Sequence, residues 1–289
     1  QLARIYIDGI PLDLVSKLLP KKTWLDIGIL SHIHMHAKSQ QKYSDNAVSL
    51  SDHVGKMPIS ALKTLITSLR NTISSLKLPA SKTEWGHYYS FTNYTGAAFE
   101  AKKSLVGQFV KLAKPKVLWD LGANTGEFTQ IAADMGISSV AWDIDPLAVE
   151  FGYLQVKKNT EKKLLPLLLD LTNPSSGLGW AHTERDSFAA RGPVDAVMAL
   201  ALIHHLSLSN NLPFEVTARF FSEIATHLLI EFVPKGDSQV DKLLKNREDI
   251  FDNYNLESFE KVYGKYFLVV KKEHIKGTKR TLFLMKTIA

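Results

Sequence analysis

VLWDLGANTGEFTQIAADMG, residues 117–136, decides the fold, because it reads as a buried strand, a turn of small residues and a helix in immediate succession. Val117, Leu118 and Trp119 form the apolar run, Gly122 to Gly126 the turn, and Phe128, Ile131, Ala132 and Met135 recur at helical spacing. Such a unit binds nucleotides: small residues let the backbone approach a ligand, and the helix behind them opens on unpaired N–H groups. A dinucleotide turn follows G-x-G-x-x-G and leaves room for a pyrophosphate at the helix start. Here Gly122 and Gly126 are spaced G-x-x-x-G, with Asp120 two residues ahead of the first. A carboxylate at that point repels a diphosphate and suits a cation such as an amino group.

The pattern D-x-G-x-N-x-G, Asp120 to Gly126, resembles motif I of the class I S-adenosylmethionine-dependent methyltransferases, whose ligand carries an α-amino group and a sulfonium in place of phosphates. SSVAWDIDP (138–146) reads as a second strand ending in Asp143, about 20 residues after the turn, where an acid meets a ribose diol in this kind of fold. The resemblance implies cofactor contacts at Asp120, Gly122, Ala123, Asn124, Gly126 and Asp143, with Ile144 covering one face of an adenine. LLPLLLDL (164–171) reads as the third strand; by resemblance its Asp170 accepts from the adenine amino group and Leu171 packs beside the ring. VDAVMALALIHHL (194–206) reads as the fourth, placing Ala199 and Leu200 beneath the methionine part. The implied cofactor is S-adenosylmethionine (SAM), with S-adenosylhomocysteine as product.

The rest of the nucleotide-binding domain follows the same pattern. LLIEFVPKGDSQV (228–240) is a fifth strand running into a turn, and Glu231, expensive to bury unpaired, is a candidate for the substrate pocket. KYFLVVKKEHI (265–275) and KRTLFLMKT (279–287) flank a Lys276–Gly277–Thr278 turn and read as an antiparallel hairpin. Class I methyltransferases end that way, so the expected architecture is an α/β, Rossmann-like seven-stranded sheet with a reversed last strand inserted beside the fifth. IHHLSLSNNLPF and EFVPKGDSQVDKLLKNREDIF look like bacterial methyltransferases related to a nodulation protein, and DGIPLDLVSKLLP and HIHMHAKSQQKYSD fit the same family.

The chain divides near Trp85: residues 1–84 read as a mainly helical N-terminal accessory or substrate lobe and 85–289 as the SAM-binding domain. In the lobe, Ile59, Leu62, Leu65, Ile66, Leu69, Ile73 and Leu76 form a helical stripe bracketed by Pro58 and Pro79, and it reads as a packing helix. The alternating histidines of HIHMH, His32, His34 and His36, share a face if extended and do not converge on a helix; no metal is assigned to them. Between the two parts, Trp85, His87, Tyr88, Tyr89, Phe91 and Tyr94 precede a helix over 97–113. In the resembled family a helix here closes over SAM, making Tyr94 and Lys102 candidate contacts to its carboxylate. The chain opens at Gln1 on an apolar-rich run and reads as truncated or processed.

Composition narrows the partners. With 289 residues and 45% hydrophobic content the chain holds one sizeable core plus an accessory region. It has no cysteine, which excludes disulfides and thiolate zinc sites and suits a cytoplasmic protein. No apolar run approaches the roughly 20 residues that cross a bilayer. The net charge of +6 comes from lysines scattered in pairs, without an arginine-rich arm or an aromatic RNA-binding signature, so a solvated surface and a small, anionic substrate are expected ahead of a nucleic acid.

Chemistry belongs after the fourth strand, at the sheet edge where open α/β folds place ligands. His204 and His205 stand there, and a neutral imidazole can take a proton from a hydroxyl or amine as a methyl group arrives; the competing reading is a buried ring that begins a helix. NNLPF (210–214) resembles the motif of amino-group methyltransferases but is displaced from the strand, so Asn210 is read as shaping a loop and Pro213 as opening a helix. The expected activity is methyl transfer to an O or N acceptor on a small molecule or biosynthetic intermediate, with acceptor atom and oligomeric state open. The alternatives are an RNA or protein methyltransferase and a catalytically idle SAM-fold module serving a partner protein.

Overall fold

The computed structural model describes residues 2–43, 57–77, 96–245 and 248–288, and the chain divides into two compact units, 1–80 and 81–289. Tyr94 and the aromatic residues around it lie outside the described residues.

The described part of the first unit is helical: α1 (Leu2–Ile5), α2 (Leu12–Leu18), α3 (Ile27–Ile29), a π-helical stretch Leu30–Met35 running into α4 (His36–Tyr43), and α5 (Ile59–Ser75). The histidines of HIHMH therefore sit on helical turns and separate. His34 is buried, with Nδ1 2.8 Å from Ser16 Oγ, Nε2 2.9 Å from Thr23 Oγ1 and its ring stacked on Trp24. His32 instead reaches Ser68 Oγ, and His36 is exposed.

Helix α5 starts after Pro58 as expected, but the expectation that its apolar stripe packs is overturned. Ile59, Leu62, Ile66, Leu69, Ile73 and Leu76 are all exposed. Ser68 and Thr72 are the α5 positions that are not exposed. The helix is held by its polar side because α3 presents Gly28 there: a Cβ on that glycine would lie 2.3 Å from Thr72 Oγ1, so only the bare backbone fits.

In the second unit, β1 (Val117–Leu121), β2 (Ser138–Asp143), β3 (Leu164–Leu168), β4 (Val194–Ala199), β5 (Ala225–Phe232), β6 (Phe267–His274) and β7 (Thr281–Thr287) form one sheet in the order β3-β2-β1-β4-β5-β7-β6. The first five strands pair parallel, and β7 runs antiparallel between β5 and β6. This is the class I methyltransferase sheet expected from the hairpin at 265–287. Central strands β1 and β4 are buried almost end to end, as parallel strands covered on both faces must be.

Around the sheet lie α6 (Gly96–Ala113), α7 (Glu127–Asp134), α8 (Pro146–Asn159), α9 (Phe214–Ile224), α10 (Ser238–Leu244) and α11 (Leu256–Tyr263). Their apolar sides fill two large cores and one small one. Val106, Phe109, Phe128 and Met198 lie in one large core; Phe188, Phe221, Phe259 and Phe283 lie in the other. The chain leaves β1 toward β2 on one side and meets β4 on the other, and this reversal opens a crevice beyond the carboxyl ends of the strands. Among the described residues no helix is long and apolar enough to cross a membrane.

Candidate active site

The crevice encloses an interior volume of about 260 Å³ beyond the ends of β1, β2 and β4. Its floor is the turn read from the sequence. Gly122 and Gly126 both adopt left-handed backbone, φ +78° and +88°, which a side chain would strain, and Asn124 joins them at φ +53°. The turn folds back on β2: the N–H groups of Gly122 and Ala123 both donate to Trp142 O at 2.9 Å. Asn124 N–H donates to Asp143 Oδ2 (2.7 Å), Thr125 N–H to Asn124 Oδ1 (2.9 Å) and Gly126 N–H to Ala123 O (3.0 Å). All five of these donors are thus directed at the protein itself and not at a phosphate.

Two buried acids face the crevice beside this turn. Asp120, at the end of β1, is 2% exposed; its Oδ2 accepts from Thr129 Oγ1 at 2.7 Å, and burial raises its pKa to about 7. Asp143, at the end of β2, accepts backbone N–H groups, from Asn124 on Oδ2 and from Asp145 on Oδ1 (2.8 Å), with Ile144 N–H also turned toward it. Burial also raises Asp143, and those hydrogen bonds oppose the rise. Each carboxylate oxygen has a second lone pair, so a pair of hydroxyl donors can still be accepted. Asp145 is occupied elsewhere, capping α8 through Leu147 N–H at 2.8 Å.

Apolar surface completes the wall. Ile144 is 57% exposed and lines the crevice, where it offers an apolar surface. Asp170 and Leu171 also line it, two and three residues past β3, which ends at Leu168, earlier than the expected 171. Asp170 Oδ1 accepts from Thr172 N–H and Oγ1. Leu200 lines the crevice; Ala199 is fully buried at the end of β4 and does not, and Gly126 shapes the turn from behind.

Lys102, on α6, lines the crevice from a buried position. Its Nζ lies 2.6 Å from Glu231 Oε2 and 4.5 Å from the centroid of Phe128. Arg280 reaches the other Glu231 oxygen at 3.3 Å and donates to both oxygens of Asp237, at 2.7 and 3.0 Å. Burial lowers the Lys102 pKa, and Glu231 works against that shift. Glu231 itself does not line the crevice; it anchors the lysine that does.

The two histidines separate. Their rings lie 4.2 Å apart between centroids with their planes tilted by 39°, yet His205 lines the crevice while His204 is 1% exposed behind it, with no hydrogen-bond partner on Nδ1 among the described residues. Burial lowers both pKa values, His204 well below the usual imidazole value and His205 to about 4, so both rings are neutral at neutral pH. His205 opens a π-helical stretch, His205–Ser209, and Asn210 closes it through Nδ2 to His205 O at 3.0 Å before Pro213 leads into α9.

Sequence reasoning missed several lining residues. Ala201 takes a left-handed backbone, φ +49°, in the turn after β4, with no glycine or asparagine to announce it. Leu202, beside it, sits where a Cβ on Gly122 would meet it at 3.3 Å. Phe99 and Phe128 were legible only as apolar helical positions, and Trp142 as strand interior.

The chain is similar to the nodulation protein NoeA of Rhizobium meliloti (strain 1021), with 36% identity over 281 residues. That match takes in 96% of this chain and 59% of NoeA, so the chain spans less than two thirds of that protein's length. No protein-family model matches. Among solved structures, the PH0226 protein from Pyrococcus horikoshii OT3 is 16% identical, with a TM-score of 0.48 over 72% of this chain and 100% of that one. Magnesium protoporphyrin IX methyltransferase from Synechocystis PCC 6803, solved with bound SAH, is 15% identical, with a TM-score of 0.48 over 78% and 100%. The N-methyltransferase NodS from Bradyrhizobium japonicum WM9 is 10% identical, with a TM-score of 0.47 over 67% and 98%. At that level neither activity nor acceptor transfers from those proteins to this chain.

Proposed function

We propose that this chain is a SAM-dependent methyltransferase acting on an O or N atom of a small molecule. The observation that carries the reading is the donor set of the crevice: the turn after β1 spends its N–H groups on Trp142, Asp143 and itself, while two buried acids, Asp120 and Asp143, face the ligand space. That set rejects a phosphate and suits a ligand bearing an ammonium and a ribose diol. Asp143 holds the diol, Asp120 the ammonium, Lys102 the carboxylate and Ile144 with Leu171 the adenine. Bound there, SAM supplies an electrophilic methyl group and leaves as S-adenosylhomocysteine, the C–S electron pair staying on sulfur. His205, neutral and in the crevice, takes the proton that the acceptor O–H or N–H gives up. The sheet order supports the same reading.

The test is transfer of label from methyl-labelled SAM into fractions of a bacterial metabolite extract. A labelled small molecule that forms with the wild-type chain and not with Asp143→Ala supports the proposal. Label entering only protein or RNA contradicts the acceptor class, and SAM that binds without any transfer contradicts the activity.

A further inference from the structure

Scattered along the sequence, lysines of the second unit gather at one pole of its fold. Lys111 and Lys114 stand at the end of α6 and Lys116 leads into β1; Lys157 and Lys158 end α8, and Lys162 and Lys163 lead into β3. The parallel strands place all of these at the amino ends of β1, β2 and β3, and hydrogen bonds hold the segments side by side. Ser138 N–H donates to Lys116 O at 3.1 Å, and Ser139 N–H to Lys163 O at 2.7 Å. All seven lysines are exposed, and among the described residues none of them forms an ion pair. The acids beside them, Asp134, Glu161 and Asp195, accept from Gln130 or from backbone N–H groups instead. The helix dipoles account for Lys111, Lys157 and Lys158, at the carboxyl ends of α6 and α8. Lys116, Lys162 and Lys163 stand outside any helix, so that role does not explain the cluster.

We propose that this pole seats the chain on an anionic lipid surface. A cluster of this many lysines is drawn to negatively charged headgroups, each lysine contributing near the surface and fading within a Debye length of it. Leu112, Val117 and Met135 are exposed among the lysines and suit the boundary between headgroups and acyl chains. A nucleic acid fits this surface less well. Residues 111–117, 134–139 and 156–164 contain neither arginine nor an aromatic side chain on which a base could stack. The pole also lies a full strand away from the crevice, about 16 Å for the five residues of β1, so an RNA held here is not presented to it. On a membrane the crevice faces away from the lipid and stays open to solvent.

The test is co-sedimentation of the full chain with vesicles of phosphatidylcholine, with and without phosphatidylglycerol, over a range of salt concentrations. Binding to the phosphatidylglycerol vesicles alone, declining as salt rises, is expected. Lys116→Ala with Lys163→Ala should lower that binding roughly twentyfold, about fivefold for each lysine removed. Circular dichroism should not change, because the hydrogen bonds of both residues come from their backbone. Lys242→Ala with Lys276→Ala removes the same charge from exposed positions beyond the carboxyl ends of β5 and β6, and should leave binding nearly unchanged. No binding to either vesicle at low salt overturns the proposal. So does equal binding to both vesicles, an equal loss in the two pairs of variants, or a wild-type chain that takes up polyuridylate and leaves the vesicles alone.

Discussion

The backbone N–H of Asn124 donates to Asp143 Oδ2 over 2.7 Å, so one carboxylate both pins the turn after β1 to the end of β2 and faces the crevice. Its other oxygen holds Asp145 N–H, at the start of α8. The shape of the turn and the wall of the crevice are therefore coupled through Asp143.

Asp143→Ala should weaken SAM by about 1–3 kcal/mol, the usual range for losing hydrogen bonds to a charged acceptor. The same change leaves two backbone donors unpaired and should lower the melting temperature. Calorimetric titration and thermal denaturation read the two effects separately. Unchanged affinity in a destabilised protein would remove Asp143 from the binding site and leave it as a fastener of the turn.

Asp120 offers a pH signature. Its pKa is raised by burial to about 7, so between pH 4 and 7 the folded chain holds a proton that the unfolded chain has lost, and this group's contribution to stability declines as pH rises through that window. The buried histidines act in the opposite direction, since their lowered values make stability rise with pH up to the unfolded value near 6.5. The informative quantity is the difference between Asp120→Asn and wild type: the variant should gain relative stability from pH 5 to 7. An ammonium seated beside Asp120 favours its ionised form, so SAM binding at pH 7 should release a proton, seen as a binding enthalpy that varies with the buffer. Asp120→Asn should abolish that variation.

His205→Ala should keep SAM affinity and lose methyl transfer, while His204→Ala should act mainly on stability, because its ring is buried behind the crevice. With the His205 pKa lowered to about 4, the wild-type rate at saturating SAM should stay level as pH falls from 8 to 5 and drop only below that. An acid limb near the ordinary imidazole value of about 6.5 would show that His205 is not held in this dry setting during turnover.

Glu231 stands between two buried cations, Lys102 and Arg280. Glu231→Gln should destabilise the chain by about 3–5 kcal/mol, since both cations lose their shared carboxylate. Lys102→Met leaves Glu231 with Arg280 and should unfold at a higher denaturant concentration than Glu231→Gln. The reverse order would contradict Glu231 as the shared anchor of the two cations.

Much of this arrangement was legible in the sequence because it rests on local pattern. Residues 117–136 fold as read because apolar run, glycine turn and helical stripe agree with one another, and the last hairpin follows from its turn residues. Asp120 and Asp143 were found because strand ends are set by short-range chemistry. The Lys102–Glu231 pair was not, because its members are 129 residues apart and meet only once the sheet is built. Ala201 was missed because its left-handed backbone comes from the surrounding structure and not from its side chain. The α5 stripe shows the converse: its period predicts a helix, and period alone does not say what covers the apolar side.

The most direct test is isothermal titration of the folded chain with SAM and with S-adenosylhomocysteine, each repeated on Asp143→Ala. The account predicts micromolar binding of both ligands, weakened in the variant. A folded wild-type chain that takes up neither ligand would contradict the assignment of the crevice.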